Sequence, residues 1–284
     1  MSTTVTLLIL LAALFHALWN AFAKKSSDPL ISIAGMAMAC GLTAALTLPF
    51  IGLPETRLLP WIAVSIAIHT VYMIALSQAY RYGDFSLAYP IARGTAPAIV
   101  VIFSLFFLKE ELQASQLIAV SGILFGILLF ALRRFNEVLA DHRSLGYALL
   151  TACLIATYTL IDGAAVRLAQ KPLNFIAWTL FLQAFPIFFY MLYQQKPHTT
   201  RGVFKAIRND MRLIIFGGIL AFVGYSIVLW AMTQAPIALV AAFRETSIII
   251  AALIGMIWLK EPSGWRRILA AAIIFLSVVY LKLA

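Results

Sequence analysis

Ten apolar runs occupy residues 4–23, 30–50, 60–80, 85–108, 113–132, 145–168, 173–193, 213–232, 236–258 and 265–283. Each is close to the roughly 20 residues that cross a bilayer as a helix. The breaks between them carry turn and charge signals, among them KKSSDP, YRYGD and LKEPSGWRR. None is long enough to house a soluble domain. A water-soluble chain of 284 residues could not hide so much apolar surface: 63% of its residues are hydrophobic and 11% charged, against about 25% charged in soluble domains. Inside lipid every backbone polar group needs an internal partner, and runs of this length meet that demand as helices. The expected fold is all-α and integral to the membrane, with ten transmembrane helices.

The formal net charge of +10 does not point to nucleic acid, because the basic residues lie in short loops rather than along a groove. Fourteen of the 21 Lys and Arg follow spans 1, 3, 5, 7 and 9, five lie at the other ends, and Arg93 and Arg244 lie within spans. By the positive-inside rule the richer side is cytoplasmic and both termini are non-cytoplasmic. The first run lacks a basic leader and a small-residue cleavage site, so it is expected to remain as a span. Cys40 and Cys153 sit in apolar runs without a CxxC or His pairing and read as packing residues, with no metal site implied.

The chain repeats itself. A shift of 151 residues places Arg93 on Arg244, Thr95 on Thr246, Leu108 on Leu259, Lys109 on Lys260 and Glu110 on Glu261. A shift of 142 places Ser2 on Ser144, His16 on Tyr158 and Asn20 on Asp162. The units expected are 1–140 and 141–284, each of five helices. Five is odd, so the second unit enters the membrane from the opposite side, as in the inverted repeats of secondary transporters.

HALWNAFAKK in span 1, the LKEE and LKEP endings of spans 4 and 9, and the ten-span duplication resemble the EamA family of the drug/metabolite transporter superfamily. The resemblance implies a carrier in a bacterial-type inner membrane with a central cavity. It implies export of amino acids, other small metabolites or toxic organic solutes, with import in some members. YPIARGTAP and FRETS are similar to a subgroup associated with phosphonate-utilisation genes.

Four ionisable groups were placed within spans: Arg93, Asp162, Arg244 and Glu245. Charges at membrane depth cost about 2.5–3.5 kcal/mol each on insertion scales, so they should face one another or water. At about 1.5 Å per residue, Arg244 and Asp162 come to similar depth on one side, and Arg93 and Asn20 on the other. The pairs expected are Asp162–Arg244 and Asn20–Arg93, the second lacking an acid. Arg93 is thereby expected to meet a carboxylate or phosphonate, whose geometry suits its planar fork. Structural pairing of Asp162 with Arg244 stays open beside a cavity role. Glu245, about 100° from Arg244 on a helix, either contacts a neighbouring helix or carries a proton. His16 is the third proton-coupling candidate with Asp162 and Glu245, beside a packing role.

Trp19, Asn20, Tyr72, Tyr89, Tyr158 and Tyr225 complete the expected substrate-binding set, because aromatic rings with polar tips clasp an amine or hydrogen-bond a polar head. Pro90 and Pro97 bracket Arg93 and read either as a hinge or as a tolerated kink. Lys109 and Lys260 read as helix C-terminal caps, with gating as the minor reading.

The function expected is a secondary active transporter, an exporter of an amino acid, aminophosphonate or related zwitterion or anion, working by alternating access. An importer of the same solutes, an exporter of organic cations or drugs, and a non-transporting sensor or assembly subunit remain the alternatives. The expected partners are the solute, a proton or other coupling ion, and lipid; no cofactor is implied. An enzyme is not expected: DGAAVR at 162–167 approaches the DGxxAR opening of membrane phosphotransferases, but Val166 precedes the arginine and no downstream run of aspartates follows to hold metal.

Overall fold

A computed structural model describes residues 1–82, 85–132, 142–194, 200–257 and 265–283. All its elements are helices: α1 (Thr3–Lys25), α2 (Pro29–Ala45), α3 (Leu48–Ile51), α4 (Leu59–Tyr82), α5 (Phe85–Phe106), α6 (Ala114–Leu132), α7 (His142–Leu168), α8 (Pro172–Leu182), α9 (Ala184–Gln194), α10 (Thr200–Met232), α11 (Ile237–Arg244), α12 (Ser247–Ile257) and α13 (Trp265–Leu283), with a 3₁₀ turn at Thr56–Leu58. Five stretches are long and apolar enough to cross a membrane: Thr3–Lys25, Thr56–Tyr82, Leu145–Leu168, Pro172–Gln194 and Val203–Met232. Shorter apolar helices cover Pro29–Ala45, Thr95–Phe106, Ala114–Leu129 and Leu269–Tyr280.

Local chemistry sets several helix ends. Asp28 caps α2, its Oδ1 accepting from the Leu30 and Ile31 amides at 2.8 and 3.0 Å, and Pro29 occupies the first helical position, where a missing N–H costs nothing. The basic stretch ahead of the eighth apolar run is not wholly a linker. From Thr200 it is already the start of α10, because Val203 and Ile207 have Ile31 and Met191 to pack against while Lys205 and Arg208 stay exposed.

Helix packing maps onto itself when the halves are exchanged. α4 and α5 pack on α7; their counterparts α10, α11 and α12 pack on α1. α6 pairs with α13, and α2 with α8 and α9. Two bundles result, one of α4, α5 and α7, the other of α1, α10, α11 and α12, with α2 against α10. Close approach requires small residues at these seams. A Cβ at Gly218 would run into Ala39 and stand 2.7 Å from the Met36 carbonyl oxygen and 2.8 Å from the Cys40 nitrogen. Those are backbone atoms, which cannot yield as a side chain can. Gly218→Leu is therefore expected to separate α2 from α10 and lower the thermal-unfolding midpoint in detergent, by more than Gly146→Leu, where a side chain meets nothing within 4 Å.

The connecting segments gather at opposite ends. At one, the Lys24 end, Lys24 Nζ donates to the Tyr80 carbonyl at 3.1 Å, Ser27 Oγ to Asp210 at 3.1 Å, and Tyr82 stacks on Tyr147. At the other, the Glu110 end, the Gln170 amide donates to Glu55, Asn174 Nδ2 to the Leu53 carbonyl, and Trp178 Nε1 to the Gly52 carbonyl. Partial burial works to raise the Glu55 carboxyl, but hydrogen bonds from Arg57 and Gln170 outweigh it and hold it below the ordinary carboxylate range.

The LKE ending of span 4 takes part in the Glu110 end in an unexpected way. α5 stops at Phe106 and Lys109 adopts a left-handed φ of 51°, so Lys109 is not in the helix's last turn and the expected lysine cap gives way to a glutamate cap on another helix. Glu110 accepts from the Ile237 and Ala238 amides at 2.8 and 3.2 Å, where a carboxylate meets the positive end of α11. Arg167 ties this in: Nη1 lies 2.8 Å from Glu110, and its other donors reach the Met232 and Ala235 carbonyls. The mirror residues Lys260 and Glu261 lie outside the described residues.

Candidate functional site

Between the two bundles, at the middle of the helices, lies a cavity of about 80 Å³, room for several waters. Its polar wall comes from His16 and Trp19 on α1, His69 and Tyr72 on α4, Tyr158 on α7 and Tyr225 on α10. Gln183, at the break between α8 and α9, and Arg244, the last residue of α11, complete it. Cys40, Met36 and Val228 supply part of the apolar wall.

The four rings of His69, Tyr72, Tyr158 and Tyr225 form one aromatic block. His69 stacks on Tyr158 with centroids 4.1 Å apart and meets Tyr225 edge-on at 5.6 Å; Tyr72 and Tyr158 meet at 5.2 Å. Behind it sits Asp162, fully buried, one turn after Tyr158 on α7. Its Oδ2 accepts from Tyr225 Oη at 2.5 Å and lies 2.9 Å from His69 Nε2. His16 Nδ1 accepts from Trp19 Nε1 at 3.3 Å, while its buried Nε2 has no hydrogen-bond partner among the described residues. Gln183 is 4% exposed, and its Oε1 likewise has no partner among the described residues.

Span 9 breaks at FRETS. The bonds there run three residues back, from Glu245 N to Ala242 O and from Thr246 N to Phe243 O, and the Thr246 hydroxyl also bonds to Phe243 O at 2.9 Å. Arg244 consequently ends α11, where a cation suits the negative helix terminus, and Glu245 precedes α12, where an anion suits the positive one. Glu245 Oε1 lies 2.9 Å from Arg93 Nη2 and 3.6 Å from Arg244 Nε. One carboxylate thus faces two guanidiniums, all three nearly sealed.

These contacts correct the expected partners. The Asp162–Arg244 pair does not form: Asp162 meets His69 and Tyr225, and Arg244 meets Glu245. Asn20 bonds to Tyr80 Oη at 2.7 Å and to the His16 carbonyl. Arg93, expected to lack a counter-charge, has Glu245 and is not among the residues lining the cavity. α5 is helical through Pro90 and Pro97, and a break falls in span 9. Of the expected substrate-binding residues, Trp19, Tyr72, Tyr158, Tyr225 and Arg244 line the cavity; Asn20, Arg93, Asp162 and Glu245 lie behind its wall. The Tyr89 side chain lies outside the described residues. His69 and Gln183 were missed by the sequence reading. His69 is the one histidine of its helix and stands one turn before Tyr72, and that spacing was the available signal.

A cavity walled by aromatics and an arginine, between two bundles of one membrane-embedded helical chain, defines a multi-pass membrane carrier. The profile of the EamA-like transporter family matches residues 3–132 and again 142–283, and the chain belongs to that family. An uncharacterized protein of Methanocaldococcus jannaschii, MJ1333.1, is 29% identical over 136 residues, 45% of this chain and 97% of its own length; that relative is one repeat long. A crystal structure of another protein superposes over 100% of this chain and 98% of its own with a TM-score of 0.72 at 16% identity, a likeness of fold.

Proposed function

We propose that the chain is a secondary active exporter of small organic acids or zwitterions, amino acids and aminophosphonates among them, crossing the inner membrane ten times as two inverted five-helix repeats with both termini outside. Arg244 holds the carboxylate or phosphonate. The block of His69, Tyr72, Tyr158 and Tyr225 clasps the amine, with Gln183 Oε1 as an acceptor beside it. The observation that carries this reading is Arg244 on the cavity wall, with its neighbouring carboxylate already shared with Arg93. Arg244 shares that carboxylate with a second guanidinium, and an acidic solute gives it an anionic partner of its own. Counterflow of radiolabelled 2-aminoethylphosphonate and L-alanine in proteoliposomes tests it: labelled solute should accumulate transiently against unlabelled solute inside, and absence of exchange for both acids would remove the reading.

Alternating access requires the bundles to part at each end in turn. Support for the Glu110 end as one gate comes from Arg167 and Glu110 of one bundle holding Met232, Ala235 and Ile237 of the other. Cys40 on the cavity wall is a built-in reporter. In a Cys153→Ser background, Glu110→Gln is expected to speed Cys40 modification by an impermeant thiol reagent added at the Glu110 end several-fold. An unchanged rate would show that this contact does not hold the gate.

A further inference from the structure

We propose that the His69–Asp162 pair is the proton-binding site of the carrier and that a proton on it competes with the solute's ammonium group. The inference rests on the reading of the cavity as a solute site. Its own footing is a pair of titratable groups hydrogen-bonded at 2.9 Å, one on the cavity wall and one sealed behind it.

Both ring nitrogens of His69 have distinct surroundings. Nε2 faces Asp162 Oδ2, with Tyr225 Oη 3.5 Å away. Nδ1 has no protein partner among the described residues, and the ring that carries it lines the cavity. With one proton on the ring, at Nε2, the pair carries a single negative charge. A second proton, delivered to Nδ1 by a hydronium ion in the cavity, gives an imidazolium against a carboxylate, and the pair becomes neutral. One O–H bond of the hydronium breaks as the N–H bond forms, a water molecule is left, and release to water reverses the step.

The surroundings make that charge change consequential. Asp162 Oδ2 already accepts from Tyr225, while Oδ1 is buried without a partner among the described residues, so the deprotonated pair is an under-solvated anion beside the cavity. Of the charged or titratable groups around it, Tyr158 and Tyr72 cover the His69 ring, Tyr225 bridges from α10, and Arg244 and His16 line the same cavity. Glu245 lies apart from the pair, against the guanidiniums of Arg93 and Arg244. An ammonium group reaching the aromatic block satisfies the anionic pair and is repelled by the neutral, imidazolium-bearing one. Solute and proton therefore exclude each other, and the transport they permit is exchange of solute against protons.

Two measurements on the full-length protein decide this. The first uses no solute: with histidine labelled by nitrogen-15, the His69 resonance, assigned by its loss in His69→Gln, is followed by NMR in detergent. Exchange between singly and doubly protonated rings is expected as pH is lowered, and loss of the Asp162 charge in Asp162→Asn should move the transition to lower pH. A ring held in one protonation state throughout overturns the proposal, whatever the protein transports. The second is counterflow of L-alanine, whose charge is constant near neutral pH, at equal pH on both sides. In the wild type the half-saturation concentration should fall as pH rises through the His69 transition, roughly tenfold per unit below it, and in Asp162→Asn this dependence should move to lower pH with that transition. Wild-type counterflow with no pH dependence overturns the proton site and leaves the solute reading standing. Absence of counterflow for both acids removes the solute reading, and the NMR titration still decides whether the pair takes a proton.

Discussion

Arg244→Gln is expected to raise the half-saturation concentration for an acidic solute by roughly 10- to 100-fold. A hydrogen bond to a charged group in a desolvated site contributes about 1.5–3 kcal/mol, and each 1.4 kcal/mol is tenfold. The loss should be selective. Counterflow of 2-aminoethylphosphonate suffers, while ethanolamine, which lacks the acid group, competes as well against the variant as against the wild type. Arg244→Lys keeps the charge but not the planar fork, and should fall between the two. Folding should be largely kept, because Glu245 retains its 2.9 Å contact with Arg93. An equal loss for acid and amine would instead indicate that Arg244 only holds the cavity's shape.

Glu245→Gln should be the most destabilising single change, at about 3–5 kcal/mol, the magnitude for breaking a buried pair by removing one partner. The carboxylate is fully buried between Arg93 and Arg244, so its loss leaves two cations facing each other at membrane depth. Low yield and a lower thermal midpoint follow. The diagnostic is the double variant: Arg93→Gln added to Glu245→Gln should recover much of the loss, because Arg244 then no longer faces a second guanidinium across the missing carboxylate. Additive losses in the double variant would contradict the shared-carboxylate account.

The helices were largely legible because lipid leaves one solution for a long apolar run, and every run falls on helical segments. The duplication was legible because Arg93 and Arg244 recur at one shift with LKE behind each. Partners were not legible. Spacing along a helix gives the face a residue occupies, but not which helix lies opposite. Asp162 and Arg244 have similar depth yet belong to different bundles, and Asp162 found His69 and Tyr225 instead. Glu245 was read on a continuous helix, where it would diverge from Arg244. The break at Glu245 and Thr246 sets Glu245 against both Arg93 and Arg244, and nothing in periodicity foretells such a break. Gln183 and Glu110 escaped for a related reason: each acts where one helix stops and another begins.

A structure of the protein with bound 2-aminoethylphosphonate tests the central claim most directly. The account predicts the phosphonate oxygens about 2.7–2.9 Å from the Arg244 guanidinium nitrogens, with the amine against the rings of His69, Tyr158 and Tyr225. A phosphonate held away from Arg244, or an amine seated where the acid is expected, would contradict it.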